Sequence, residues 1–246
     1  MLSPDIFIES VSFEFGAEPL FQNLNFKVRG GEWTCLLGPS GSGKSTLLRL
    51  IAGSLRMGMQ GSIRYGQKSN PAGMSAWMAQ KDLLLPWLTV EQNVLLGERL
   101  RGSLTKTKRE KARVLLSMVG LGDVGHYLPA ALSGGMRQRV ALLRTLMEER
   151  SVILMDEPFS ALDALSRLKL QNLSADLVEG ATVLLVTHDP LEALRLGHQI
   201  HVMTGRPAAI GPALIPPGKP PRNPGDPVIA ALHAELLDRL VESDGE

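Results

Sequence analysis

The sequence predicts an α/β protein, a sheet core interrupted by an inserted block of helices. Strand-like runs stand on both sides of a long helical stretch. Two of the later runs, "SVILMDE" and "ATVLLVTHD", are short, apolar and rich in β-branched residues, and they do not alternate. That is the pattern of parallel strands buried on both faces. With 246 residues, 44% hydrophobic and 21% charged, the chain is also long and apolar enough to bury a sizeable core.

The elements follow in order. Residues 6–35 alternate apolar and polar positions ("FIESVSFEF", then "LNFKVRGGEWTCLL") and read as half-buried strands, with turn signals at Gly16 and at Gly30 and Gly31. "KSTLLRLIAG" from Lys44 reads as a helix with Gly53 as its C-terminal cap. "GSIRYG" and "MSAWMAQ" read as two further short strands. From Thr89 to Arg150 the period turns helical, in "TVEQNVLLGERL", "KTKREKARVLLSMVG" and "GGMRQRVALLRTLMEER". "DPLEALRLG" reads as a helix and "QIHVMTG" as a closing strand. This organisation suggests one domain over residues 1–205, with a helical subdomain at about 85–150, and a separate segment over 206–246. Residues 205–227 hold half of the chain's prolines and read as an extended linker. Asp226 and Pro227 then supply an N-cap and first-turn pair for a short amphipathic helix with Val228, Leu232, Leu236 and Leu240 on one side.

Several classes are disfavoured. A net charge of +1 gives no global argument for a nucleic-acid partner. A single cysteine, Cys35, excludes an internal disulfide framework and fits a reducing setting. The opening "MLSPDIFIES" has acid where a secretory signal needs a basic run. No stretch approaches the ~20 apolar residues of a spanning helix. The basic residues Arg99, Arg101, Lys106, Lys108, Arg109, Lys111 and Arg113 read as a solvated helix face, with contact to phospholipid headgroups as the alternative.

Chemistry first becomes visible in "GPSGSGKST": Gly38, Pro39, Ser40, Gly41, Ser42, Gly43, Lys44, Ser45 and Thr46. The stretch matches G-x-x-x-x-G-K-[ST] and lies between a strand and a helix, the context the phosphate-binding loop requires. Glycines let backbone N–H groups curl around an anion, and the following helix points its positive end at the same spot. Lys44 offers a point charge to the β- and γ-phosphates, and Ser45 a hydroxyl to Mg²⁺. The plainer reading is a glycine-rich turn with a surface lysine.

Asp156 and Glu157 end the apolar run "VILMDE", at the strand edge where ligands sit in α/β sheets. Asp156 is a candidate ligand for Mg²⁺ and Glu157 a candidate general base that polarises an attacking water. The alternative is an N-cap pair for a following helix. In "LSGGMRQR", Ser133 reads as a helix cap, while Gly134 and Gly135 leave bare N–H groups at the positive helix end. This makes a second phosphate-facing surface, and a nucleotide held between two copies of the chain would use both.

At this point the sequence resembles the ATP-binding subunits of ABC transporters. "LSGGM" is similar to that family's signature motif, Gln80 in "MAQ" to its Q-loop, "SALD" ending at Asp163 to its D-loop, and His188 in "LLVTHD" to its H-loop. Phe15 falls where the family carries an aromatic that stacks on adenine. The motifs keep the family's order over about residues 5–205. The resemblance implies a P-loop NTPase core of RecA-like type with an N-terminal antiparallel β part and an inserted helical subdomain. It implies ATP and Mg²⁺ as ligands, with Ser45, Gln80 and Asp156 toward the metal. It further implies a head-to-tail homodimer in which each ATP lies between Lys44 of one subunit and Ser133, Gly134 and Gly135 of the other. His188 would then contact the γ-phosphate, and Glu157 would act as base. Met136 stands where the commonest signature has Gln, and Phe15 where Tyr is usual.

"KDLLLPWLTVEQNVLLG", with Trp87, is unusually apolar. It reads either as subdomain core or as a groove that receives a helix of an integral membrane permease. "LLLPW", "LSGGMRQR" and a proline-rich tail resemble the nitrate/sulfonate/taurine importer branch, with overall likeness to hydroxymethylpyrimidine (thiamine precursor) importer ATPases. The implied role is the ATP-hydrolysing subunit of a bacterial importer of a small solute. Such a subunit sits peripherally on the cytoplasmic face of the inner membrane and is served indirectly by a solute-binding protein. The competing reading is a soluble ABC ATPase without a permease.

Overall fold

The computed structural model describes residues 3–16, 18–55, 57–69 and 73–244. Along the chain it forms β1 (Ile6–Phe15), β2 (Glu18–Val28), β3 (Trp33–Leu37), α1 (Lys44–Ile51), β4 (Gln60–Tyr65) and β5 (Ser75–Met78). A helical stretch follows, with α2 (Val90–Val94), α3 (Leu96–Leu100), α4 (Lys106–Met118) and α5 (Gly134–Leu146). Then come β6 (Val152–Asp156), α6 (Ala164–Leu177), β7 (Thr182–Val186), α7 (Pro190–Leu196), β8 (Gln199–Thr204), β9 (Ala209–Ile210) and α8 (Pro227–Asp244). Two compact units result. One takes the residues up to Ser75, Ser151–Glu157 and the residues from Glu179 on; the other is Ala76–Arg150 with Pro158–Val178.

In the first unit β1 lies between β2 and β4 in an antiparallel sheet. Its inward positions run Ile6 and Ile8, then Val11 and Phe13, all buried. The period of two slips at Ser10, which takes a φ of 48° in a bulge and gives its N–H to Asn25 Oδ1 at 3.0 Å. The alternation expected through residue 35 ends with β2, because β3 leaves this sheet for another. There β6, β7, β3 and β8 run parallel in that order, with β9 antiparallel at the edge. Every residue of β3, β6 and β7 is buried, as two-sided cover demands. Burial pushes the Cys35 thiol up and leaves it unreactive.

Helix α1 closes as its sequence suggests. Ser54 N–H donates to Arg49 O at 3.0 Å and Gly53 N–H to Leu50 O at 3.1 Å, a paired C-terminal cap. Helix α8 starts with Asp226 Oδ1 accepting the Val228 N–H at 2.8 Å. It packs on α7 and β8 through Ile229 and Leu236. Val228 points outward, with Ile229 in the place that the sequence reading gave it. No helix of the described residues is long and apolar enough to cross a membrane.

The second unit is helical and includes α6, which the sequence reading lacks. Leu165 and Leu168 are exposed on α6 while Leu170 and Leu173 are buried, so its apolar residues do not follow one stripe. The basic stretch carries its own acids: Arg101 pairs with Glu98 and Glu148, Lys106 with Glu110, Lys108 with Glu98, Lys111 with Glu149 and Arg113 with Glu91. That compensation favours the solvated face over a patch of bare charge. Glu98, only 4% exposed, is the hub. Burial pushes its carboxyl up, but hydrogen bonds from Lys108, Ser103 and Arg101 outweigh that and hold it at about 2.

Glu98→Gln should therefore destabilise the chain at neutral pH by about 2–3 kcal/mol, read by urea unfolding. A carboxylate held below its ordinary 4.5 stabilises above that pH and loses the contribution as pH falls toward about 2. The gap between wild type and variant should close over that window. A gap independent of pH would show that the charge of Glu98 is not what stabilises.

Candidate active site

Asp156 pairs with Val186, and Val186 with Leu36, on one row of the parallel sheet. The segments beginning at Gly38, Glu157 and Thr187 therefore leave the sheet at the same edge. Most of the chemistry-bearing residues of the first unit emerge there.

After β3 the chain curls through Gly38, Pro39, Ser40, Gly41 and Ser42 to Gly43, the N-cap of α1, which takes a left-handed φ of 99°. A side chain is strained in that conformation, and a Cβ there would also press on Phe21 at 3.1 Å. Lys44 is not a surface lysine. It is buried, and its ammonium donates to Gly38 O at 2.8 Å, Pro39 O at 2.7 Å and Ser42 Oγ at 3.3 Å. Burial pulls its pKa down, opposed by the charges of Glu157 and Asp156. The first turn of α1 carries no acid, so the helix end stays positive toward an anion.

Asp156 is buried at the end of β6. Burial pushes its carboxyl up, with Glu157 adding to the rise; the Ser45 hydroxyl donates to it and Lys44 attracts it, both pulling it down. Glu157 takes a φ of 50°, costly for a side-chain-bearing residue, while its N–H donates to Val186 O at 2.9 Å. The turn brings its Oε1 within 3.1 Å of His188 Nδ1, whose side chain is 61% exposed. No helix starts behind this acid pair. The next, α6, begins at Ala164 with Asp163 as its N-cap, which removes the capping alternative for Asp156 and Glu157. The Phe15 side chain lies outside the described residues.

Gln80, Ser133, Gly134, Gly135 and Asp163 belong to the second unit. Gln80 is exposed just after β5. Ser133 caps α5, its Oγ accepting the Met136 N–H at 3.3 Å. The Asp163 carboxylate accepts the Ser166 N–H at 2.9 Å. Hydrogen bonds from the Ser166 side chain and backbone hold that carboxyl low. Gly134 and Gly135 differ. A Cβ on Gly135 would lie 3.0 Å from Ala161 O, whereas one on Gly134 meets nothing closer than 3.9 Å. Gln138 is buried and ties α5 to the stretch before Asp163. It accepts the Ala161 N–H at 2.7 Å and donates to Ser160 Oγ at 3.3 Å. Its signal in the sequence is a polar residue three and four positions before the apolar Ala141 and Leu142, on the same side of the helix.

The apolar segment 83–96 divides. Leu84, Val90, Val94 and Leu95 are core, while Leu83 and Trp87 are 58% and 70% exposed. The exposed part is held still. Buried Asn93 donates to Leu85 O, Leu88 O and Thr89 O and accepts the Leu85 N–H. Arg144 donates to Leu83 O at 2.8 Å and Asp82 O at 2.7 Å.

Comparison with known proteins bears on the family and the fold. A family model described as ABC transporter matches residues 21–160. An uncharacterized ABC transporter ATP-binding protein of Haemophilus influenzae is 45% identical over 95% of this chain and 97% of its own. The aliphatic sulfonates import ATP-binding protein SsuB 2 of Pseudomonas syringae pv. tomato is 42% identical, covering 92% and 94%. Among solved structures, a dimeric post-hydrolysis state of the ATP-binding cassette MJ0796, bound to ADP and Pi, superposes with a TM-score of 0.76 at 30% identity. That match covers 87% of this chain and all of the other.

The two signature glycines should part in a stability assay. Gly134→Ala should stabilise by about 0.5–1 kcal/mol through helix propensity. Gly135→Val should cost about 1–3 kcal/mol against the Ala161 carbonyl. Equal urea midpoints for the two variants would remove the close approach as the reason for Gly135.

Proposed function

The chain belongs to the ABC transporter family, and we propose that it is the ATP-hydrolysing subunit of an importer. The observation that carries this reading is the edge where Lys44, Asp156, Glu157 and His188 emerge together, with Glu157 3.1 Å from His188. The import role is supported by relatives named for aliphatic sulfonate import at 40% identity or more.

In the proposed mechanism the loop 38–46 receives the phosphates. Its backbone N–H groups and the positive end of α1 face the anion, and the Lys44 ammonium turns from the loop carbonyls to the phosphate oxygens. The hard oxygens of Ser45 and Asp156 suit Mg²⁺, which would neutralise phosphate charge when bound. Glu157 accepts a proton from the attacking water as the bond to the γ-phosphorus forms and that to the β,γ-bridging oxygen breaks. His188 steadies the Glu157 carboxylate and faces the γ-phosphate. ADP and phosphate leave, and the proton passes on to solvent.

Two copies meet head to tail, each ATP between Lys44 of one and Ser133, Gly134 and Gly135 of the other. A dimeric cassette bound to ADP and Pi among the similar structures supports a dimer. The fixed, exposed Leu83 and Trp87 are the proposed seat of a membrane permease, which would hold the chain at the cytoplasmic face of the membrane.

Glu157→Gln should bind ATP and dimerise but lose turnover by at least about a hundredfold. Near-normal hydrolysis would remove Glu157 as base. Lys44→Ala should lose nucleotide affinity in a fluorescent-ATP titration. Glu157→Gln closed on ATP, captured from mild-detergent membrane extracts of the native host, should bring down a polytopic permease. Soluble proteins alone, reproducibly, would favour an ABC ATPase without a permease.

A further inference from the structure

Arg222 lies in the proline-rich stretch, yet it is only 7% exposed and its guanidinium is wholly engaged with main-chain carbonyls. Nε donates to Pro217 O at 2.7 Å, and Nη2 to Pro216 O and Gly218 O, both at 2.9 Å. Nη1 reaches α7, donating to Leu194 O at 2.9 Å and Gly197 O at 2.7 Å. The backbone doubles the link, with Arg222 N–H donating to Arg195 O at 2.9 Å and Arg195 Nη1 to Arg222 O at 2.5 Å. A five-donor fork with five acceptors is fully satisfied, and a lysine cannot reproduce it.

The place matters more than the number. Helix α7 has seven residues, too short to hold itself. The tail meets its last-turn carbonyls, orphaned at any helix end, with a cation that matches the helix dipole. At the other end α7 begins at Asp189, whose carboxylate accepts the Leu191 and Glu192 N–H groups at 2.9 and 3.2 Å. Asp189 N–H in turn donates to Thr187 Oγ1 at 3.1 Å. His188 lies between Thr187 and Asp189, directly before α7, so its ring is only as fixed as the helix that follows it.

We propose that Arg222 is a positioning residue for His188: by capping the C-terminus of α7 it sets the helix that directly follows His188 and so holds the ring against Glu157. The proposal rests on the role given to His188 above. The tail is thereby part of the hydrolytic apparatus. ATP affinity, which comes from the loop after β3, is separate from it.

The test is a double-mutant cycle on the full-length chain, at a temperature where circular dichroism finds every variant folded. Arg222→Ala should lower kcat about tenfold with KM for ATP unchanged, and Arg222→Lys should fall between. In a His188→Ala background Arg222→Ala should cause no further loss. Losses that multiply, or an Arg222→Ala enzyme with full turnover, would overturn the proposal. Full turnover in His188→Ala alone would overturn the reading beneath it, and the proposal with it. If Arg222→Ala does not fold, Arg222→Lys carries the same comparison.

Discussion

The in-register parallel pairing of β3, β7 and β6 is the constraint on which the rest depends. Parallel strands send all their carboxyl ends to one edge, and here the row Leu36, Val186, Asp156 brings three of them to the same level. Nothing local to the phosphate loop, to Glu157 or to His188 would bring them together. The sheet does so, and its register matters, because a slip of one residue would turn Asp156 to the opposite face and take it off that row.

That edge concentrates groups that are costly apart. The buried ammonium of Lys44 and the buried carboxylate of Asp156 each lose solvation and recover part of it from the other, while Glu157 supports Lys44 and opposes Asp156. The opposed shifts of Lys44, lowered, and Asp156, raised, mark the same economy from two sides. A site so balanced is prepared for a further charged group, since a phosphate shifts the balance toward the cation and a divalent ion shifts it toward the acids.

The sequence made the strands, the phosphate loop and the acid pair legible because each depends on local pattern: apolar runs, glycine spacing, a carboxylate at a strand end. What it hid depends on non-local neighbours. Helix α6 lacks a clean stripe, since Leu165 and Leu168 face outward. The change of sheet at β3 cannot be read from an alternation that continues almost smoothly into "WTCLL". Gln138 and Arg222 look like ordinary polar residues, and only their partners, Ala161 in one case and the end of α7 in the other, make them structural. The two signature glycines read as a pair, but the structure separates them, one packed on a carbonyl and one open.

The locked segment around Trp87 has an optical consequence. Of three tryptophans, Trp33 is buried and Trp77 is half-buried, with its indole nitrogen shielded from solvent. Trp87 alone stands 70% exposed, on a backbone that Asn93 holds in place. Acrylamide will thus reach one indole far more readily than the other two. The native chain already carries a fluorophore at the surface proposed to meet the membrane partner, and its emission can report occupancy of that surface without a label.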